Sequence, residues 1–258
     1  MLTFDRHPDA ILRPGSEPEP LIGPYQKQRL LEQAGVDLLV TLPFDQALAA
    51  LSPEQFVMDY LVPLRARLVL VGQGFRFGHK GSGNINTLQE LGPRLGFVAR
   101  EIPTVEFGSV RVSSTEIRSA LAAGDVTRAS VMLGRNHQTE GMVEHGRKIG
   151  RQIGFPTANL ARNSEGLLPA DGVYAGWLYA NGIRYPAAHS VGTNDSIEAV
   201  PRLLESHVIG RDDLDLYDLV VTCEYVEQVR PWAKFESMDQ LIAQIAADVQ
   251  ACKEILGE

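Results

Sequence analysis

Residues 150–159 read Gly-Arg-Gln-Ile-Gly-Phe-Pro-Thr-Ala-Asn, and the reading of this stretch decides the second half of the chain. Two glycines flank a short turn. Pro156 then fixes the backbone ahead of Thr157 and Asn159, whose side chains both offer oxygen. Glycine lets a main chain approach phosphates closely and aim its N–H groups at them. A hydroxyl and an amide oxygen two residues apart can share one hard cation such as Mg2+. The pattern suits a metal-bound nucleotide. It suits an ordinary Gly-Pro turn capped by Thr and Asn equally well, and these residue types alone leave both readings open.

Outward from this stretch the period changes. Residues 171–180 and 218–229 alternate as strands do, with glycine-bearing turns between segments, which predicts an antiparallel barrel. Ser237-Met-Asp-Gln opens a last helix with a capping-box pattern. Leu241, Ile245, Val249, Cys252 and Leu256 form its apolar stripe, expected to pack on the barrel.

The first half instead alternates strand and helix. Helices are expected over 24–34, from Ser52-Pro-Glu-Gln onward with Phe56, Tyr60, Leu61 and Leu64 on one side, and over 87–95. Strands are expected over 36–42, 67–72 and 97–102. That order implies a parallel sheet with right-handed crossovers, whose ligands sit beyond the carboxyl ends of the strands. A serine in Ser113-Ser-Thr caps a short helix ended by Gly124, and Asp125 caps a second one to Leu133-Gly134. The boundary is drawn there, giving domains 1–125 and 126–258.

The bulk numbers narrow the classes. A chain of 258 residues with 44% hydrophobic side chains can bury two modest cores, and a net charge of −8 argues against nucleic-acid partners. No apolar run reaches the length of a membrane span, and the first residues lack a signal-peptide pattern. Cys223 and Cys252 match no metal spacing and read as reduced core cysteines, which fits the cytoplasm. His145, His189 and His207 are scattered and read as packing or hydrogen-bonding groups. Self-association is left open.

The extended stretch 147–159, Arg-Lys-Ile-Gly-Arg-Gln-Ile-Gly-Phe-Pro-Thr-Ala-Asn, resembles the signature of riboflavin kinases. Leu-Pro-Ala-Asp-Gly-Val-Tyr-Ala (168–175), Ser-Val-Gly-Thr-Asn (190–194), Leu-Glu-Ser-His (204–207), Asp-Leu-Asp-Leu-Tyr (213–217) and Val-Arg-Pro-Trp-Ala-Lys-Phe (229–235) follow it in order. The part before them looks like the adenylyltransferase module that bacteria fuse to this kinase. The whole chain resembles the bifunctional riboflavin kinase/FAD synthetase family. That resemblance implies a Rossmann-like nucleotidyltransferase domain followed by a β-barrel kinase domain with a C-terminal helix.

It also implies roles. A riboflavin kinase moves the γ-phosphoryl of ATP to the ribityl 5′-hydroxyl of riboflavin, so ATP and Mg2+ are expected alongside riboflavin and FMN. Thr157 and Asn159 would hold the metal and phosphates. Gly146, Gly150, Gly154 and Pro156 would shape a flap over the nucleotide. Glu205 would accept the hydroxyl proton, its pKa lifted in an apolar run beside Leu203 and Leu204. Arg230 and Lys234 would lie near the flavin or phosphate, or else stand as solvated charges at a strand end.

Departures from the family pattern are visible. Asp195-Ser196 replace the usual Pro-Thr, and Gly210 stands where an acid is usual. Gly-x-Phe-Asp-Gly-x-His-x-Gly-His, which opens the adenylyltransferase, does not occur. Leu2-Thr-Phe-Asp-Arg-His-Pro instead resembles that fold's second strand, so its first strand and helix are expected to be missing. Gly74 replaces a polar residue in Val71-Gly-Gln-Gly-Phe-Arg-Phe-Gly. Ser113, Ser114, Thr115 and Arg118 keep the distal motif, whose hydroxyls and arginine suit phosphates. The expected function is flavin cofactor biosynthesis through riboflavin phosphorylation, with FMN adenylylation in question. The alternative is a non-catalytic flavin- or nucleotide-binding homologue.

Overall fold

The computed structural model describes residues 1–108, 110–146, 149–193 and 202–258, without the side chains of Ile149 and Gln152. By contacts the chain forms two compact units, residues 1–19 with 30–111 and residues 20–29 with 112–258.

In the first unit, β1 (Leu2–Phe4) pairs in parallel with β2 (Val40–Leu42), and α1 (Asp9–Leu12) follows β1. Helix α2 (Pro24–Gln33) precedes β2, and residues 24–29 of it group with the second unit. The strand expected from Val36 starts later because the Val36 N–H turns back to Leu31 O at 3.0 Å, closing the end of α2. Asp45 caps α3 (Gln46–Ala50). The expected Ser52/Gln55 capping box opens α4 (Pro53–Phe56), which then widens into a π-type turn over Val57–Leu61. Strand β3 (Leu68–Gly72), α5 (Ile85–Leu95) and β4 (Val98–Ile102) complete a strand–helix–strand segment. Helix α5 starts two residues earlier than expected because Asn84 caps it, accepting from the N–H groups of Asn86 and Thr87.

Strands β3 and β4 run parallel, as expected, but form a separate pair from β1–β2 rather than one continuous sheet. Leu68, Leu70, Val98 and Ile102 lie exposed on that pair, whereas parallel sheets are usually covered on both faces. The unit's core gathers Phe44, Phe56, Val57, Val71, Phe77, Leu88 and Phe97. A short hairpin, β5 (Glu106–Phe107) with β6 (Val110–Arg111), ends it.

The second unit begins with α6 (Ser114–Ala122) and α7 (Val126–Leu133), capped by Ser113 and Asp125 as the sequence predicts. Ile117, Ala120, Leu121, Val126, Ala129 and Met132 pack into the core of the following barrel. The boundary drawn at 125/126 lies between these helices, while the contact grouping divides the chain at 111/112.

Beyond them come β7 (His137–Glu144), the short α8 (Ile149–Gln152), β8 (Ala158–Leu160), β9 (Gly172–Ala180), β10 (Ile183–Gly192), β11 (Leu203–Val208) and β12 (Val220–Pro231). These strands close into a barrel in the order β10-β11-β8-β7-β12-β9, every neighbour antiparallel. Alternation sends Leu204 and Val208 of β11, and Val221, Cys223 and Tyr225 of β12, into the core. Burying each such aliphatic side chain is worth about 1.5–3 kcal/mol.

Several polar groups in the barrel pair with one another or with the backbone. His189 accepts at Nδ1 from the Ser206 hydroxyl at 2.9 Å and donates from Nε2 to Glu224 O. The hydroxyls of Thr139 and Tyr225 pair at 3.0 Å, and His137 donates to Leu167 O. Helix α9 (Met238–Leu256) packs on the barrel through Val249, Cys252 and Leu256. Ser237 caps it, but the Gln240 side chain reaches the N–H of Glu236 instead of closing the expected box. Both cysteines are buried free thiols, and burial pushes each up to about 12. Among the described residues no helix is long and apolar enough to cross a membrane.

Candidate active site

In β8, Ala158 and Leu160 point into the barrel and Asn159 points away. In β11, Leu204, Ser206 and Val208 are buried while Glu205 and His207 lie on the other face. Antiparallel register sets Glu205 opposite Asn159, so both side chains share one face of the strand pair. Thr157, just before β8, offers its hydroxyl to Glu205 Oε2 at 3.5 Å. Asn159 Nδ2 reaches Thr157 O at 3.4 Å and Thr157 Oγ1 at 3.5 Å. All three contacts are at the long limit of hydrogen bonding.

His207 explains how Thr157 is placed. Its Nδ1–H donates to Pro156 O at 2.8 Å, and its ring meets Phe155 edge-on at 5.5 Å. The Phe-Pro step is thus tied to the strand that carries Glu205. His207 acts as a hydrogen-bonding histidine, as the sequence reading expected.

The glycines of this segment serve different ends. A Cβ on Gly146 would stand 2.8 Å from Asn159 Nδ2 and 2.9 Å from its Cγ, so the amide occupies that space. A Cβ on Gly150 would collide with the Phe155 carbonyl oxygen. Gly154 holds φ +87°, a left-handed turn that glycine adopts without strain. Residues 147–148 of the flap signature lie outside the described residues.

Gly146, Pro156, Thr157 and Asn159 line one open cleft. Its other walls include Arg151 of α8, Ser206 and Val208 of β11, and Arg211, Asp212, Leu214, Leu216 and Tyr217 after that strand. Tyr217 stacks on His145 at 4.0 Å. Arg151 and Arg211 were not among the residues singled out from sequence. Their signal was faint: one arginine inside the glycine turn, another directly after the unusual Gly210.

The oxygen donors fit a hard cation of the Mg2+ type only in part. Thr157 Oγ1 and the Glu205 carboxylate lie within reach of each other. Rotating the Asn159 amide by half a turn, an isosteric change, would add its oxygen to them. Among the described residues there is no group of three or more His, Cys, Asp or Glu able to hold a metal. A cation here would take most of its shell from substrate phosphates and water, which is how Mg2+ is usually held.

Arg230 stands elsewhere, outside the cleft lining. Its Nε and Nη2 engage Asp248 of α9 at 2.8–3.0 Å, and Gln244 donates to the same carboxylate. Asp248 is only 5% exposed, so this is a buried pair joining α9 to β12. Lys234 is exposed. Asp195 and Ser196 lie outside the described residues.

Two family patterns match the chain, riboflavin kinase over residues 133–256 and FAD synthetase over residues 1–116. A bifunctional riboflavin kinase/FMN adenylyltransferase of Escherichia coli K12 is 34% identical across the whole chain, which covers 82% of that relative. The chain belongs to the bifunctional riboflavin kinase/FMN adenylyltransferase family. Its Bacillus subtilis member is 34% identical over 97% of this chain and 80% of its own length. A crystal structure titled as a macrolide-efflux protein from Streptococcus pneumoniae superposes with a TM-score of 0.86 at 30% identity. That match covers 98% of this chain and 82% of the other.

The riboflavin-kinase match spans the whole barrel, the cleft and α9. The FAD-synthetase match ends inside α6, in the motif of Ser113, Ser114, Thr115 and Arg118. Ser113 spends its hydroxyl on capping, accepting from the Glu116 N–H at 3.3 Å, while Ser114 and Thr115 are exposed. At the end of β3, Gly74 adopts φ +76° and donates its N–H to Glu101 at 3.2 Å.

Proposed function

We propose that this chain is a riboflavin kinase acting at the cleft lined by Thr157 and Asn159, with Glu205 beside them, converting riboflavin and ATP to FMN and ADP. One observation carries the reading: a carboxylate meets a hydroxyl and an amide that lie 48 and 46 residues earlier in the sequence, on one face of β8 and β11 beside an open cleft. Phosphoryl transfer asks the protein for positioning, charge neutralisation and a base, and little else.

In this reading Thr157 and Asn159 hold the cation and phosphates. Bound Mg2+ neutralises charge on the phosphate oxygens. Glu205 takes the proton of the ribityl 5′-hydroxyl as that oxygen meets the γ-phosphorus. The space kept clear at Gly146 lets Asn159 stand beside Thr157, and the His207–Pro156 bond fixes the height of Thr157 against Glu205. Arg230 is assigned to holding α9 rather than the flavin. Residues 126–258 are taken as the kinase domain and 1–125 as the adenylyltransferase-like part. The two buried thiols fit a cytoplasmic setting.

The test is direct. Chain, riboflavin, ATP and Mg2+ should yield FMN, followed by chromatography with fluorescence detection. Riboflavin that binds without FMN appearing overturns the kinase reading in favour of a binding protein.

A further inference from the structure

Arg211 lines the same cleft as Thr157 and Asn159, on the segment that leaves β11 after Glu205. It follows Gly210, whose left-handed φ of +76° turns the chain there. Its guanidinium is held by Asp213, Nε to Oδ1 at 2.6 Å and Nη2 to Oδ2 at 2.9 Å. Both partners are largely in water, 46% and 63% exposed. An ion pair so exposed contributes little and is cheaply exchanged. The guanidinium fork that grips a carboxylate with two parallel bonds grips a phosphate in the same way. Arg151 supplies a second cation to the same cavity.

We infer that Arg211 is a clamp for the nucleotide's terminal phosphates, and that Asp213 occupies it until those phosphates displace the carboxylate. The inference rests on the kinase reading of this cleft and names a further residue that touches its substrate. The cleft then holds the triphosphate between Arg211 and the Thr157–Asn159 turn, and the exchange of one anion for another needs no rearrangement of the barrel.

The two partners of one ion pair should act in opposite directions. Arg211→Gln should raise KM for ATP about tenfold, with KM for riboflavin changed less than twofold. Arg211→Lys should recover part of that loss, because the charge returns without the fork. Asp213→Asn should lower KM for ATP by up to about fivefold, since the arginine is no longer engaged. Calorimetry should show ADP weakened in Arg211→Gln and AMP unaffected. If the pair only staples the loop, both variants shift KM for ATP the same way, and that result overturns the inference. An unchanged KM in Arg211→Gln overturns it as well. A wild-type chain that makes no FMN sinks the kinase reading instead, and ADP calorimetry on the same three variants still decides the clamp.

Discussion

Glu205 and Asn159 are cross-strand partners in the β11–β8 ladder, and the Thr157 hydroxyl stands 3.5 Å from the Glu205 carboxylate. The ladder between these strands consists of two residue pairs, Glu205 with Asn159 and Ser206 with Ala158. A slip of one residue would send Glu205 into the barrel and Ser206 to the outside. Buried Leu204 and Val208 on one side, and the His189–Ser206 hydrogen bond from β10, oppose that slip.

Glu205→Gln keeps the shape and removes the carboxylate proposed as the base. General bases are typically worth 10²–10⁴ in rate, so kcat should fall at least about a hundredfold. Riboflavin and ATP should still bind, as titration of flavin fluorescence and calorimetry would show. A kcat within tenfold of wild type would remove Glu205 from the chemistry.

Gly146→Ala puts a methyl where the Asn159 amide now lies. The exposed turn can shift without unfolding the barrel, so the melting temperature should change little. Displacing Asn159 by even about 1 Å should lower kcat/KM by up to a hundredfold and raise the Mg2+ concentration needed. Activity equal to wild type would show that Asn159 need not stand there.

Asp248→Ala strands the Arg230 guanidinium at the foot of α9. Removing one partner of a buried pair costs about 3–5 kcal/mol, to be read from urea unfolding. KM for riboflavin should follow stability rather than change on its own. A folded Arg230→Met variant with a tenfold higher KM for riboflavin would restore Arg230 to the flavin site.

Acid should weaken the barrel. Burial lowers both His137 and His189 from 6.5 to about 4, so the folded state keeps them neutral while the unfolded chain protonates near 6.5. The unfolded state therefore binds more protons between pH 6.5 and 4, and stability present above 6.5 is lost as pH falls through that window. Each histidine accounts for at most about 3 kcal/mol. Denaturant unfolding at pH 7.5 and 4.5 measures it, and His189→Leu paired with Ser206→Val should flatten the slope.

Much of this protein is written locally. The alternation in 171–180 and 218–229, the caps at Ser52, Ser113, Asp125 and Ser237, and the glycine turn at 150–154 each act over a few residues. Elements whose ends depend on neighbours were misjudged. Val36 was spent on closing α2, and the stretch after Phe56 widened into a π-type turn. Gln26 gave no sign that it would be fully buried, its amide donating to Gln138 O. The first residues of α2 pack with the second unit, Glu165 accepting the N–H groups of Tyr25 and Gln26.

By itself the sequence determined many of the helices with their caps, the strand–helix alternation of the first half and the barrel-forming alternation of the second, because propensity, capping and alternation are set by near neighbours. Tertiary structure alone decided that Glu205 meets Thr157 and Asn159, that Arg211 lines the cleft of those two residues, and that Arg230 pairs with Asp248. Those pairings depend on strand order and register around a closed barrel, where residues far apart in the chain are brought together by burying a common core, and no local pattern encodes that.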